Sequence, residues 1–179
     1  MAFMDVELQK RATKICMLVL DVDGVLTDGK LYFDHLGNEL KAFNTRDGMG
    51  MKALQKCGIE VAVITGRKSE AVTQRMAQLD IQHVYQGRED KLNAFLHLLE
   101  ITGLDAEQVC FAGDDWIDLP ILLRAGLAIS VADAEDRVKE KAHWITKNDG
   151  GDGAVREICN LILAAQEKDQ TILDEILAL

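Results

Sequence analysis

Two aspartates, separated by one residue, follow an apolar run near the beginning of the chain. Asp21 and Asp23 come directly after the six apolar residues 15–20, and Gly24 follows them. Alternate side chains of an extended backbone share a face, and a glycine permits a sharp turn. A turn with solvated aspartates is the simpler alternative, but the apolar run argues against it. The pair predicts a functional site at the carboxyl end of a buried strand, where α/β sheets bind ligands.

A second acidic cluster follows another apolar run. Asp114, Asp115 and Asp118 come shortly after residues 109–112. If the two runs form neighbouring strands, their axes lie ~4.8 Å apart, and Asp21 and Asp114 can reach one ion. Two carboxylates ~4 Å apart repel by about 4 kcal/mol at an effective dielectric constant of 20, so a cation is needed between them. Mg²⁺ is the expected occupant, because it prefers a few carboxylates together with water and phosphate oxygens. Helix capping by Asp114 and Asp115 is the alternative, and it is compatible with metal binding.

Two other segments carry groups that bind anions. Thr65 and Gly66 follow the apolar run 61–64 and precede a helical pattern, so a hydroxyl and free N–H groups meet at one point. Lys91 lies near the start of a further helical pattern. Simple capping explains the first segment equally well, and a lone lysine on a helix is usually a solvated charge. These residues indicate a functional site only in combination with the aspartates.

The elements that must position these residues alternate along the chain. Runs of strand length cover residues 15–20, 61–64, 109–112 and 127–129, with weaker ones at 83–85 and 143–145. Helical patterns cover residues 48–56, 69–79, 89–100, 119–125 and 154–165. Runs that are apolar on both faces favour parallel strands covered by helices. The alternation predicts an α/β fold with a doubly wound, mainly parallel sheet.

One segment interrupts the alternation. Residues 30–43 carry apolar and aromatic residues on both sides of Leu-Gly-Asn-Glu, which predicts a β-hairpin inserted after the first strand. Such a hairpin is placed to cover the site or to build a subunit contact. The tail 166–179 has helical spacing, and no Pro-rich linker divides the chain, so we expect one domain over residues 1–179.

Composition restricts the partners and the compartment. The formal net charge is −10, and the sequence pI is about 4.8. Nucleic acids and anionic membranes are held mainly by Lys and Arg, so neither is expected as a partner. The four cysteines form no CxxC or Cys/His cluster, and no apolar stretch is long enough to span a bilayer. We expect a cytoplasmic protein with reduced thiols.

The order Asp-x-Asp, Thr-Gly, Lys, Gly-Asp-Asp-x-x-Asp resembles the haloacid dehalogenase superfamily of phosphohydrolases, over roughly residues 15–162. The resemblance implies that Asp21 attacks phosphorus and that Asp23 is general acid and then general base. It implies that Thr65 and Lys91 hold the phosphoryl oxygens. It also implies a magnesium ion bound by Asp21, the backbone carbonyl of Asp23 and Asp114. Asp115 and Asp118 would support these ligands.

A narrower resemblance covers nearly the whole chain. The motif at 21–29, the residues 43–50 after the hairpin, the motif at 113–120 and the Gly-rich segment 150–157 are similar to the 3-deoxy-D-manno-octulosonate 8-phosphate phosphatases. The family implies a Rossmann-like fold without a separate cap domain, and a homotetramer joined through its hairpins. It also implies a set of residues that contact the sugar acid and its phosphate: Asp23, Thr45, Arg46, Asp47, Gly48, Met49, Gly66, Arg67, Arg75 and Lys91.

Two alternatives remain open at the level of sequence. The same architecture acts on N-acylneuraminate and related nonulosonate 9-phosphates, and the motifs do not separate these substrates. Receiver domains of signalling proteins also accept phosphate on an aspartate with the help of magnesium, Thr and Lys. However, their paired acids come early and the acceptor later, whereas Asp21 comes first here and Asp23 lies two residues beyond it.

Overall fold

A computed structural model describes residues 5–178. Six parallel strands form the main sheet, in the order β5-β4-β1-β6-β7-β8. Their bounds are β1 Met17–Leu20, β4 Glu60–Ile64, β5 His83–Tyr85, β6 Val109–Gly113, β7 Leu127–Ser130 and β8 Trp144–Ile145. Every residue of β1 and β7 is buried, as expected for strands covered on both faces. The predicted α/β fold with a doubly wound, mainly parallel sheet is confirmed.

Helices lie on both faces of this sheet. Their bounds are α1 Val6–Thr13, α2 Thr45–Lys56, α3 Glu70–Gln78, α4 Lys91–Thr102, α5 Leu119–Leu122, α6 Asp136–Lys139, α7 Ala154–Ala165 and α8 Asp169–Leu177. The connections through α2 and α3 run toward β5, and the connection through α5 runs toward β8. Right-handed crossovers in opposite directions place their helices on opposite faces. Accordingly, α7 packs on α2 and α1, whereas α4 packs on α5.

The sheet order creates one place where the direction of the connections reverses. β1 leads to β4 on one side and β6 leads to β7 on the other, although β1 and β6 are hydrogen-bonded neighbours. Leu20 pairs with Val63 on one side and with Ala112 on the other. The segments that follow these strands therefore emerge together at a switch point, which is where open α/β sheets bind ligands.

The predicted hairpin is present as a separate two-stranded unit. β2 (Tyr32–Phe33) pairs antiparallel with β3 (Glu39–Leu40). Asp34 closes the turn, because its carboxylate accepts hydrogen bonds from the backbone N–H groups of Leu36 and Asn38, both at 2.8 Å. The hairpin stands in the connection between β1 and α2, so its second strand returns the chain toward the end of β1.

Two helices were not predicted from the sequence. α1 buries only Leu8 and Ala12, so its apolar periodicity is weak, and α6 is four residues long. The helix α2 begins three residues before the predicted start at Gly48, because Asn44 caps it by accepting a hydrogen bond from Arg46 N. None of the helices within residues 5–178 combines the length and apolar character needed to cross a bilayer.

Candidate active site

Three carboxylates meet where β1 and β6 end. Each of Asp21, Asp114 and Asp118 has an oxygen within 4.8 Å of the others. Asp21 follows β1 directly and its backbone N–H donates to Ala112 O at 3.1 Å, while Asp114 follows β6. The sequence predicted that Asp21 and Asp114 lie at neighbouring strand ends, and the parallel pairing of β1 with β6 brings them together.

Lys91 lies between two of these carboxylates. Its Nζ is 2.8 Å from Asp21 Oδ1 and 2.7 Å from Asp118 Oδ1, and its side chain is almost completely buried. Burial alone would lower the pKa of Lys91, but the charges of Asp21 and Asp118 outweigh it and raise the pKa above its usual value. Lys91 is therefore a fixed cation beside Asp21, and it is the first residue of α4.

Asp118 supports the cluster through hydrogen bonds to its neighbours. It is fully buried, and its Oδ2 accepts hydrogen bonds from the backbone N–H groups of Asp114 (3.0 Å) and Asp115 (3.3 Å). Since its Oδ1 binds Lys91, Asp118 holds both Lys91 and the turn after β6. Asp115 caps the short 3₁₀ turn 116–118 through Trp116 N at 2.7 Å, which agrees with the capping alternative for this residue.

The electrostatics of the cluster fit a divalent cation. Burial, followed by the charge of Asp118, raises the pKa of Asp21, and burial with the charges of Asp21 and Asp118 raises the pKa of Asp114. The Asp114 Oδ1 atom is buried and has no hydrogen-bond partner among the described residues. A hard cation would ligate this oxygen and remove the repulsion, so Asp21 and Asp114 match the preferences of Mg²⁺.

Gly24 makes the approach of Asp114 possible. Its φ is +97°, and a Cβ placed on it would lie 2.0 Å from Asp114 Oδ2. A side chain here would displace the Asp114 carboxylate, and the backbone conformation also favours glycine. From the other side, Gly150 packs so closely that a Cβ on it would lie 1.7 Å from Gly24 O. The loop after β1 is thus fixed between Asp114 and the Gly-rich segment before α7.

Asp23 is surrounded by charged residues, two of which sequence reasoning missed. Lys41 Nζ donates to Asp23 Oδ1 and is also 3.0 Å from Glu39 Oε1. Arg67 reaches both acids, with Nε 3.9 Å from Asp23 Oδ2 and Nη2 3.3 Å from Glu39 Oε1. A signal was present in the sequence, because Glu39 and Lys41 are two positions apart at the end of the predicted hairpin, where alternate side chains of an extended backbone share a face.

A pocket of about 250 Å³ opens beside these groups. Thr65 lies at the end of β4, is almost completely buried, and accepts a hydrogen bond from Arg67 N at 3.4 Å through its hydroxyl. Ile117, which the sequence did not single out, supplies an apolar wall. The residues that line the pocket are Asp21, Asp23, Thr65, Gly66, Arg67, Lys91, Asp114, Asp115 and Ile117.

The remaining residues assigned to substrate contact lie on α2 and α3. Thr45, Arg46 and Met49 are exposed near the start of α2. Gly48 packs against Arg75, whose Nη2 would be 2.4 Å from a Cβ on Gly48. None of the five is among the residues that line the pocket. Their contact with a substrate stays a prediction.

Asp47 occupies a different environment from its neighbours. Its side chain is buried, and its Oδ1 accepts a hydrogen bond from Arg156 N at 2.7 Å in the first turn of α7. Burial raises the pKa of Asp47 to about 6, although the hydrogen bond from Arg156 acts against this rise. Asp47 therefore caps α7, and its role in substrate binding stays a prediction.

Comparison with known proteins places this site in a family. A model of haloacid dehalogenase-like hydrolases matches residues 81–158. The 3-deoxy-D-manno-octulosonate 8-phosphate phosphatase of Yersinia pestis is 48% identical over 159 residues, which cover 89% of this chain and 85% of the relative. The phosphatase of the same name from Escherichia coli K12 is 49% identical over 158 residues, covering 88% of this chain and 84% of the relative.

A solved structure agrees with these relatives. It is the 3-deoxy-D-manno-octulosonate 8-phosphate phosphatase of Moraxella catarrhalis in complex with a magnesium ion, a phosphate ion and a KDO molecule. It is 38% identical, with a TM-score of 0.94 over 97% of this chain and 99% of that chain. The chain therefore belongs to the haloacid dehalogenase-like hydrolases, and within them to the family of 3-deoxy-D-manno-octulosonate 8-phosphate phosphatases.

Proposed function

We propose that the protein is a magnesium-dependent phosphatase that hydrolyses 3-deoxy-D-manno-octulosonate 8-phosphate to the free sugar acid and phosphate, in the synthesis of a lipopolysaccharide precursor. The observation that carries the proposal is the convergence of Asp21, Asp23, Lys91 and Asp114 on one pocket. The relatives carry the name of this activity. Because these relatives are named for the octulosonate 8-phosphate, the nonulosonate 9-phosphate alternative is not favoured.

In the first half of the reaction, Asp21 is the nucleophile. One of its carboxylate oxygens forms a bond to phosphorus while the bond from phosphorus to the C8 oxygen of the sugar breaks. Asp23 gives its proton to that departing oxygen, which leaves as the sugar hydroxyl. Lys91 and Thr65, together with the N–H groups beside Gly66, stabilise the charge on the transferred phosphoryl oxygens.

In the second half, Asp23 acts as a base. Its carboxylate takes a proton from a water molecule, and the water oxygen bonds to phosphorus as the bond from Asp21 to phosphorus breaks. Inorganic phosphate leaves, Asp21 returns as a carboxylate, and Asp23 again carries the proton needed for the next turnover. Asp118 keeps Lys91 and the turn after β6 in place throughout.

The metal would be held by Asp21, Asp114 and the backbone carbonyl of Asp23. When bound, Mg²⁺ supplies electrostatic stabilisation of the negative charge on the phosphoryl oxygens. Asp115 and Asp118 would keep the ligand turn in position through their hydrogen bonds at its N–H groups.

Recognition of the sugar acid needs cationic groups, because the substrate carries a carboxylate in addition to its phosphate. Arg67 is half-exposed at the pocket and is the best placed of them. We propose that Arg46 and Arg75, with Thr45–Met49, complete the contacts to the sugar acid. The resemblance to the family implies that a neighbouring subunit completes each site.

We also propose a homotetramer in the cytoplasm. The hairpin exposes large apolar side chains, among them Leu36, Phe33 and Leu40, which are 74%, 57% and 55% exposed. Contiguous apolar surface of this kind usually belongs to an interface. All four cysteines are free thiols, which suits a reducing compartment.

The first test measures phosphate release from a panel of sugar phosphates with and without Mg²⁺. We expect the octulosonate 8-phosphate to be the best substrate, ahead of a neuraminate 9-phosphate, and EDTA to abolish release. Asp21→Asn should lower turnover by at least ~1000-fold, because the nucleophile is lost. Asp28→Asn is the control, because among the described residues the Asp28 carboxylate pairs with Lys30 and Tyr32 and lies outside the pocket. Full activity of Asp21→Asn would contradict the covalent mechanism, and binding of phosphate without turnover would favour a receiver-type module.

A further inference from the structure

The two oxygens of Asp23 have different environments. Oδ1 accepts a hydrogen bond from Lys41 Nζ. Oδ2 has no hydrogen-bond partner among the described residues, and Arg67 Nε lies 3.9 Å from it. An acid–base catalyst exchanges its proton through one oxygen. Because Oδ1 is occupied, Oδ2 is the oxygen left for that exchange.

Lys41 is held in this position from both sides. Its side chain is 2% exposed, and its Nζ contacts both Asp23 Oδ1 and, at 3.0 Å, Glu39 Oε1. A buried ammonium group is costly unless it is paired, and here two carboxylates pair it. Glu39 lies on β3 and also contacts Arg67 Nη2 at 3.3 Å. The end of the hairpin thus brings Glu39 and Lys41 onto Asp23 in the loop after β1.

We propose that Lys41, oriented by Glu39, is a positioning residue for Asp23 that fixes its carboxyl group so that Oδ2 faces the oxygen that gains or loses a proton. The inference rests on the proposed function, because it assigns the orientation of the acid–base group of that reaction. The hairpin would then help to orient the acid–base residue, in addition to the role in subunit assembly that we propose for it.

The arrangement suits both halves of the reaction. When Oδ2 carries a proton, Oδ1 is a carbonyl-like oxygen and still accepts from Lys41. When Asp23 is a carboxylate, the same hydrogen bond remains. Lys41 can therefore hold Asp23 in one orientation throughout the cycle, and this removes the side-chain freedom that Asp23 would otherwise keep.

Two substrates with different leaving groups show whether Lys41 positions the acid Asp23 or only supports the fold. An alkoxide, such as the C8 oxygen of the sugar, needs a proton as it departs, whereas 4-nitrophenolate leaves without one. We therefore compare the rate of the first phosphoryl transfer, in single turnover by rapid quench, for octulosonate 8-phosphate and for 4-nitrophenyl phosphate. The variant is Lys41→Met, with Lys41→Arg as the conservative variant. Lys30→Met, at an exposed lysine just before the hairpin, is the matched control.

We expect Lys41→Met to slow transfer from the sugar phosphate by at least ~10-fold and transfer from the aryl phosphate by less than ~3-fold. With the aryl phosphate, slow hydrolysis of the phosphoenzyme should then produce a burst of nitrophenolate. Lys41→Arg should recover most of the loss, and Lys30→Met should match the wild type. Equal losses on the two substrates, or no loss on the sugar phosphate, would overturn the inference.

A second variant covers a failure of Lys41→Met to fold, which circular dichroism would reveal. Glu39→Gln keeps Lys41 and should produce a smaller loss with the same dependence on the leaving group; the absence of that dependence would overturn the inference. A wild type that cleaves 4-nitrophenyl phosphate but not octulosonate 8-phosphate would refute the proposed substrate alone. The comparison would then use the sugar phosphate of the panel that the enzyme cleaves fastest. A wild type inactive on both compounds would overturn the proposed function and this inference together.

Discussion

At the scale of single residues, the site depends on contacts that the sequence motifs predict and on others that they do not. Asp21, Lys91 and Asp114 could be found from the sequence because each stands next to an element boundary. The convergence of Asp21 and Asp114 followed from the expectation of neighbouring parallel strands, whereas the place of Lys91 beside them followed only from the family resemblance. Glu39 and Lys41 were missed, because the choice of partner for a charged side chain depends on how the hairpin folds back, which no local pattern specifies.

Gly24→Ala is the sharpest test at this scale. The new Cβ would occupy the space of the Asp114 carboxylate, so we expect a loss of activity of at least ~100-fold and weaker binding of Mg²⁺. Magnesium titration by calorimetry and phosphate-release assays measure the two effects. Gly29→Ala is the control for backbone strain, because its φ is +70° but the nearest atom to its Cβ lies 3.5 Å away. If Gly24→Ala binds Mg²⁺ as the wild type does, the close approach to Asp114 is unimportant.

At the scale of elements, the long and strongly apolar segments were predicted with bounds close to those observed. The helix predicted over 154–165 coincides with α7. The short strand predicted over 83–85 from a weaker run also coincides with β5. The start of α2 was misplaced, because the cap Asn44 lies outside the apolar pattern. Asp47 shows a further limit, since it caps α7 across the fold and this long-range hydrogen bond has no local sequence signal.

The buried Asp47 predicts a pH-dependent stability. Its pKa is raised from the ordinary 3.8 to about 6, so the folded state binds the proton more tightly than the unfolded state does. The stability it contributes is therefore present at low pH and is lost as the pH rises from about 4 through 6, by up to ~3 kcal/mol. Asp47→Asn should remove this loss and become increasingly more stable than the wild type between pH 4 and 7, with a constant difference above that.

Urea unfolding at a series of pH values, with EDTA present, measures this difference. Asp136→Asn is the control, because the Asp136 side chain is 90% exposed and pairs only with Lys139. A difference between Asp47→Asn and the wild type that does not change with pH would show that the carboxyl of Asp47 titrates normally.

At the scale of the whole molecule, the hairpin exposes apolar side chains that packing within one subunit does not bury. Within residues 5–178 its strands pair only with each other, and its large apolar side chains are exposed. The sequence predicted the hairpin from the two apolar runs around its turn. Its partner could not be derived, because an interface depends on the surface of a second molecule. One domain over residues 1–179 remains our proposal for the folding unit.

We expect the double variant Phe33→Glu, Leu36→Glu to assemble into smaller species than the wild type, because burying two carboxylates in an apolar interface is costly. Size-exclusion chromatography with light scattering gives the mass of each. Leu123→Glu is the control, since Leu123 is 63% exposed but lies outside the hairpin. A wild type that is monomeric, or a double variant with unchanged mass, would contradict assembly through the hairpin.

The order of strands in the sheet also bears on biosynthesis. β6 joins β1 only after α2, β4, α3, β5 and α4 have been made, so about half of the chain separates Asp21 from Asp114. A nascent polypeptide that has left the ribosome only as far as β5 holds the nucleophile but lacks Asp114. Such an intermediate lacks one of the two carboxylates that would hold the ion, so we expect no release of phosphate before β6 has been made and has paired with β1.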